Sequence, residues 1–212
     1  MSWADYYRDW FSWKEFIRNL FAHSELIEEI ILEKPKTILE VGTGTSSLSI
    51  FLSYFGYDII SVDNNEEVLK NAKNLCRNLK GNVEYILCDA FKLSRYFKRK
   101  FDVVFSQGFF EHFDDNQINH LLKEQVMVGK VILISVPSKY YPSRSFGDER
   151  LLRKKDWEKM LRGHLVEKVR YYNYEVSIKK FFIDLIKYPY PPFKKPNHIL
   201  IKVRAESDAN KK

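Results

Sequence analysis

Ile38-Leu-Glu-Val-Gly-Thr-Gly-Thr-Ser-Ser47 joins a short apolar run to the start of an amphipathic stretch. The run reads as a buried strand over Thr37–Val41, and Thr45–Phe55 reads as a helix. Gly42 and Gly44 lack a Cβ, so the backbone there can turn sharply and let a ligand come close. In an open parallel sheet, the carboxyl end of the first strand borders the crevice where ligands bind. Thr45 and Ser46 are good N-cap types, and free amides behind them suit a carboxylate or phosphate. A dinucleotide fingerprint asks for a third glycine at position 47, where this chain has Ser47. Glu40, two residues before the first glycine, offers a carboxylate to a positively charged ligand.

Outward from this turn the same grammar repeats. Strands are predicted over Tyr57–Val62, Asn82–Cys88, Phe101–Phe105, Lys130–Val136 and His198–Val203, with an imperfect alternation over Leu165–Tyr174. Helices are predicted over Glu66–Leu79, Asp114–Val126 and Lys154–Arg162, the last stopping at Gly163. Such alternation marks a parallel sheet covered on both faces, and the continuous apolar runs suit strands buried on both sides. Upstream, Trp3–Glu33 reads as helical, with Ser24 as an N-cap, and Pro35 closes that region. Ile178–Lys187 looks helical, whereas Tyr188–Pro196 is Pro-rich and does not.

Two more carboxylates follow successive strands. Asp63, with Asn64 behind it, stands 19 residues after Gly44, near the spacing at which an acid takes both ribose hydroxyls. Asp63 also suits the N-terminus of the following helix. Asp89-Ala90 closes the third strand. Glu40-Val-Gly-Thr-Gly-Thr45 resembles the first motif of class I S-adenosylmethionine-dependent methyltransferases, and the register of Glu40, Asp63 and Asp89 is similar to theirs. The resemblance implies that Glu40, Gly42, Thr43 and Gly44 hold the cofactor's amino-acid part. It further implies that Asp63 and Asn64 hold the ribose, and Asp89 and Ala90 the adenine. A seven-stranded, Rossmann-like, mostly parallel α/β sheet with helices on both faces and an antiparallel last strand is the fold it implies.

Phe101-Asp-Val-Val-Phe-Ser-Gln-Gly-Phe-Phe-Glu-His-Phe113 resembles the fourth-strand motif of the type 11-like branch, which often methylates small molecules. By that resemblance Ser106, Gln107 and Gly108 lie beside the sulfonium, and Glu111 and His112 at the mouth of the site. His112 is a candidate general base or substrate orienter, or a structural histidine capping the loop. The chain lacks the Asn/Asp-Pro-Pro-Tyr signature of exocyclic-amine methylation, and no Pro-Cys pair offers a nucleophile for pyrimidine carbon 5. Direct in-line transfer remains, with orientation supplied by the protein.

Two segments are candidate lids. In the N-terminal aromatic cluster, Tyr6, Tyr7 and Arg18 are candidate substrate contacts, while most of the cluster is expected to pack onto the domain. After the fifth strand, Tyr140, Tyr141 and Arg144 are further candidates in a long loop, where function tends to sit. Gly147–Arg150 resembles a stretch that is mainly structural in this branch.

Lys+Arg number 35 against 28 Asp+Glu, a formal charge of +7. That excess leaves RNA or protein open as a substrate beside a small-molecule acceptor, although short solvated runs such as Lys98–Lys100 account for part of it. Two cysteines, Cys76 and Cys88, form no metal-ligand spacing, so no metal is expected and a reducing cytoplasm fits. The N-terminus carries charges throughout, unlike a signal peptide, and no apolar run reaches the length of a membrane span. The expected organisation is a helical cap over 1–35, a cofactor-binding domain over 36–205 with an insertion at 175–197, and a polar tail over 206–212. The sequence leaves oligomeric state open. A catalytically silent binding module is the alternative to an enzyme.

Overall fold

The computed structural model describes residues 2–7, 11–142, 146–174 and 196–205. Three helices come first: α1 (Trp3–Tyr7), α2 (Trp13–Ala22) and α3 (Ser24–Leu32). The central part follows as β1 (Thr37–Val41), α4 (Ser47–Ser53), β2 (Asp58–Asp63), α5 (Glu66–Asn78) and β3 (Glu84–Leu87). A short turn of helix, α6 (Leu93–Tyr96), leads to β4 (Phe101–Gln107), α7 (Asp115–Val128) and β5 (Gly129–Pro137). The chain closes with α8 (Lys154–Met160), β6 (Leu165–Tyr174) and β7 (Pro196–Arg204).

The strands form one seven-stranded sheet in the order β3-β2-β1-β4-β5-β7-β6. Strands β1 to β5 are parallel, and β7 runs antiparallel to both of its neighbours, β5 and β6. Successive side chains enter opposite cores. Leu39, Val104 and Ile132 pack with Ile118, Leu121 and Leu122 of α7 and with Trp157 of α8. Ile38, Val103, Phe105 and Leu133 pack with Leu26, Ile27 and Ile30 of α3 and with Leu48 and Leu52 of α4. Both faces of the central strands are therefore buried, which is why they read as unbroken apolar runs.

Among the described residues the N-terminal stretch carries three helical segments, and α2 and α3 meet at His23. α3 begins at Ser24 itself. The cap position is His23, whose side chain makes no capping bond; Ser24 is not the N-cap. Glu25 and Glu29 of α3 and its C-cap Glu33 lie at four-residue spacing and pair with Lys168 and Arg170 of β6 and with Lys202 and Arg204 of β7. Glu29 is itself buried. This charge seam fastens the N-terminal segment to the last two strands.

The proposed insertion over 175–197 falls almost wholly outside the described residues, as do the helix expected over Ile178–Lys187, the Pro-rich stretch before β7 and the tail over 206–212. No helix among the described residues is long and apolar enough to cross a membrane.

Candidate active site

The sheet order reverses between β1 and β4, and a crevice opens there at the carboxyl ends of the strands. On one side lies the glycine turn. Gly42 and Gly44 hold φ of +83° and +48°, a region that side chains rarely adopt. A Cβ on Gly42 would stand 2.7 Å from Phe109 Cδ2, and one on Gly44 would stand 3.1 Å from the Tyr7 hydroxyl. Both positions therefore need glycine for space as well as conformation. Ser46 precedes α4 with φ of +55° and makes no capping bond. Its hydroxyl turns inward, donating to Glu40 Oε2 at 3.3 Å and accepting from the Tyr85 hydroxyl at 3.0 Å. Ser61 donates to the same Glu40 oxygen at 2.5 Å. Burial pushes the Glu40 carboxyl up to about 7 against these hydrogen bonds.

Asp63 ends β2 and accepts the Thr43 amide at 3.0 Å and the Asn65 amide at 2.9 Å, one on each oxygen. Asn65 caps α5, its side chain accepting from the Glu67 and Val68 amides. Asp63 is thereby released from capping α5, and its carboxylate also faces the Gly44 and Asn64 amides. Burial raises its carboxyl, with the amide hydrogen bonds opposing. Asp89 caps the turn Ala90–Lys92, accepting from the Phe91 amide at 2.9 Å, and pairs with Lys92 at 2.7 Å. Phe91 packs against Phe113 and His120.

The glycine turn, Glu40, Gln107, Gly108, Glu111 and His112 line one cavity of about 270 Å³. Asp63, Asn64, Asp89, Ala90 and Ser106 lie outside its lining. Ser106 is fully buried, and its hydroxyl has no partner among the described residues. Gln107 exchanges two amide hydrogen bonds of 3.3 Å with Asn19, tying α2 to the end of β4. Gly108, at φ of +62°, donates its amide to Ser135 O at 2.9 Å.

Past β4 the Glu111–His112 pair meets a partner that sequence reasoning missed. His112 Nδ1 stands 2.5 Å from Asp148 Oδ1, and His112 Nε2 stands 4.0 Å from Glu111 Oε1. The Gly147–Arg150 stretch is thus more than structural. Arg150 grips the Phe113 carbonyl at 2.7 Å and Asp115 at 2.6 Å, while Asp148 reaches the histidine. Burial, reinforced by Glu149 and Asp148, pushes the Glu111 carboxyl up to about 8. Glu111 Oε2 is buried without a partner among the described residues.

Tyr6, Tyr7, Arg18 and Tyr141 line the cavity as well. The ring of Trp3 stacks on Phe146 at 3.9 Å and meets His112 edge-on at 4.8 Å, which holds α1 over the opening. One further substrate candidate is not brought to this place. Tyr140 is exposed and packs on Tyr171, outside the cavity lining. Arg144 lies outside the described residues. The expectation that the aromatic cluster packs onto the domain fails for Trp13, which is 66% exposed. Unforeseen lining residues include His23, Asn173, Asn197 and His198. Isolated histidines and asparagines in apolar surroundings carry no spacing signal, so only the fold could gather them.

Residues 38–130 match the family described as methyltransferase domain. Over that stretch, which runs from β1 into β5, the chain resembles a methyltransferase domain. Solved structures of similar shape include an S-adenosylmethionine-dependent methyltransferase from Clostridium acetobutylicum, 16% identical with a TM-score of 0.62, the alignment covering 86% of this chain and 89% of that one. A protein from Pyrococcus horikoshii is also 16% identical, with a TM-score of 0.67 over 92% of this chain and 93% of the other. Magnesium protoporphyrin IX methyltransferase from Synechocystis, solved with S-adenosylhomocysteine bound, is 12% identical with a TM-score of 0.61, covering 93% and 97%. At such identities these structures share the fold. No curated protein matches the sequence.

S-adenosylmethionine is the cofactor of class I methyltransferase domains, and the residues present fit it. The two glycines permit close approach to the backbone, with the Phe109 and Tyr7 rings standing over them, and the turn lines the cavity. Beside that turn stands a buried carboxylate, Glu40, suited to an ammonium group, and a second carboxylate, Asp63, ends the neighbouring strand.

Proposed function

We propose that this protein is an S-adenosylmethionine-dependent methyltransferase whose acceptor is a small molecule, methylated by direct in-line displacement. The observation that carries this reading is that one cavity of about 270 Å³ joins the glycine turn to the Glu111–His112 end of β4. Its charged lining supports a small acceptor over RNA. Among the described residues Arg18 is the one guanidinium in the lining, and it pairs with Glu15, so a polyanion gains little here.

The bound cofactor supplies a methyl group already activated on a positively charged sulfur. Glu40 and the turn Gly42–Gly44 hold its amino-acid end, Asp63 and Asn64 its ribose, and Asp89 with Ala90 its adenine. Gln107 and Gly108, fixed by Asn19 and by the Ser135 carbonyl, set the wall beside the reacting carbon. His112 takes the proton leaving the acceptor. With Nδ1–H donated to Asp148, the Nε2 lone pair is left free to accept, so Asp148 selects the tautomer and the ring orientation. Trp3, Tyr6 and Tyr7 cover the opening and exclude water, residues 1–35 acting as the cap of a domain spanning 36–205. Two free, buried cysteines suit a reducing cytoplasm.

The test has two arms. Calorimetric titration should show S-adenosylhomocysteine binding to the protein, and absence of binding at millimolar cofactor overturns the reading. Cell extract is then incubated with the protein and methyl-labelled S-adenosylmethionine and separated into small-molecule, RNA and protein fractions. Label should enter the small-molecule fraction, and His112→Asn should abolish it while S-adenosylhomocysteine still binds. Label entering RNA or protein instead removes the small-molecule assignment, and no label in any fraction favours a silent binding module.

A further inference from the structure

One end of the cavity, away from the glycine turn, is built from neutral polar groups that the cofactor reading does not use. His23 precedes α3, Tyr172 and Asn173 lie on β6, and Asn197 and His198 lie on β7. Tyr172 is fully buried, and its hydroxyl stands 2.6 Å from His23 Nδ1 and 2.5 Å from Ser135 Oγ. The rings of His23 and His198 meet edge-on at 4.7 Å, and Tyr141 packs on His198 at 5.2 Å.

One hydrogen bond fixes what His198 presents. Asn173 Nδ2 lies 3.2 Å from His198 Nδ1. An amide nitrogen only donates, so Nδ1 accepts and the ring proton sits on Nε2. Asn173 reaches this partner from a left-handed backbone, φ +52°, within a strand. Such a conformation persists only where its surroundings impose it, and it clusters at functional sites. Burial keeps both imidazoles uncharged, with His198 held down to about 4 and His23 lowered further by His198. The Nε2 atoms of both rings and the Asn197 amide make no hydrogen bond among the described residues, and all three residues line the cavity. Donors that face a cavity favour a ligand that matches them.

We propose that His23, Asn197 and His198 form the recognition end for the methyl acceptor, and that it takes a neutral, planar small molecule presenting a carbonyl oxygen or ring nitrogen to the Asn197 and His198 donors. The cluster carries no positive charge to neutralise an anion, and the cavity's other charges are mainly carboxylates. Aromatic walls from Tyr141 and the two imidazoles suit a flat molecule. This inference rests on the methyl-transfer reading of the cavity, because it is the acceptor half of that site.

The test uses the full chain saturated with S-adenosylhomocysteine and a matched pair of probes, 4-hydroxybenzamide and 4-hydroxybenzoate, which differ in charge at one end. Binding is read by ligand-detected NMR at millimolar probe. The neutral amide should bind at least about tenfold more tightly than the carboxylate. His198→Phe and Asn197→Leu should each weaken the amide about five- to tenfold, while His198→Gln, which keeps a donor, should retain most of the binding. Thermal melting and S-adenosylhomocysteine titration check that each variant is folded with its cofactor end intact. Equal or tighter binding of the carboxylate, no binding of the amide, or amide binding indifferent to the substitutions overturns the proposal. Failure of the wild-type chain to bind S-adenosylhomocysteine is a different outcome, which removes the methyl-transfer reading itself and this acceptor assignment with it.

Discussion

Glu40 shows how burial converts a common residue into a poised one. Its carboxyl is raised to about 7 because it is taken from water, even though Ser61 and Ser46 donate to it. Only the ionised form attracts the cofactor's ammonium group. Lowering the pH from 7 to 5 protonates Glu40, while the ammonium keeps its charge throughout that range. S-adenosylhomocysteine affinity should therefore hold above pH 7 and fall below it, approaching tenfold per pH unit. Glu40→Gln should bind weakly at every pH and show a flat profile. Calorimetry at pH 5, 6, 7 and 8 checks this, and a wild-type affinity constant across the range would refute it. Legibility at this scale was uneven. Glu40, Gly42 and Gly44 announce themselves because a ligand-binding turn constrains residue type and spacing together. Asp148 did not, because its role depends on a contact with His112 across 36 residues that no local pattern encodes.

At the scale of elements, what the sequence makes legible follows from how each element is buried. Strands β1, β2, β4 and β5 are flanked by core on both faces, so their apolar runs are continuous and their positions are plain. Boundaries shift where a polar residue takes an unexpected conformation. α4 starts at Ser47 rather than Thr45 because Ser46 turns left-handed to reach Glu40. The attachment of α3 was hidden, since Glu25, Glu29 and Glu33 look like an ordinary solvated face until β6 and β7 supply their cations. Glu29 is the test of that seam. Its carboxylate is buried and meets Lys168, Arg170 and Lys202. Removing it takes the carboxylate from Lys168, while Arg170 keeps Glu25 and Lys202 keeps Glu33, and the partial exposure of Lys168 softens the cost. Glu29→Ala should lose about 1–3 kcal/mol in urea unfolding, and Glu29→Gln less. Stability equal to wild type would mean the seam is solvated and idle.

For the molecule as a whole, the site imposes an unusual pH dependence on folding. Most acidic groups in folded proteins are held down by partners and stabilise the fold as pH rises. Asp102 behaves so, its carboxyl held well below the usual range by Lys130 and by the Lys36 and Thr37 amides despite partial burial. Glu111 does the opposite. Burial raises it from 4.5 to about 8, so the folded chain keeps this proton when the unfolded chain has already released it. Its contribution is complete below about pH 4.5 and is lost progressively as pH rises towards 8. Glutamine mimics the protonated acid in size and hydrogen bonding. Glu111→Gln should therefore match wild type at pH 5 and melt at least about 5 °C higher at pH 8, without cofactor. Scanning calorimetry at the two pH values isolates the effect, because every other titrating group cancels in the comparison. Parallel melting temperatures at both would show that Glu111 is ionised in the folded chain and that a cation not yet identified faces it. The predicted divergence would instead mark Glu111 as a buried acid kept in the cavity wall at a cost in stability.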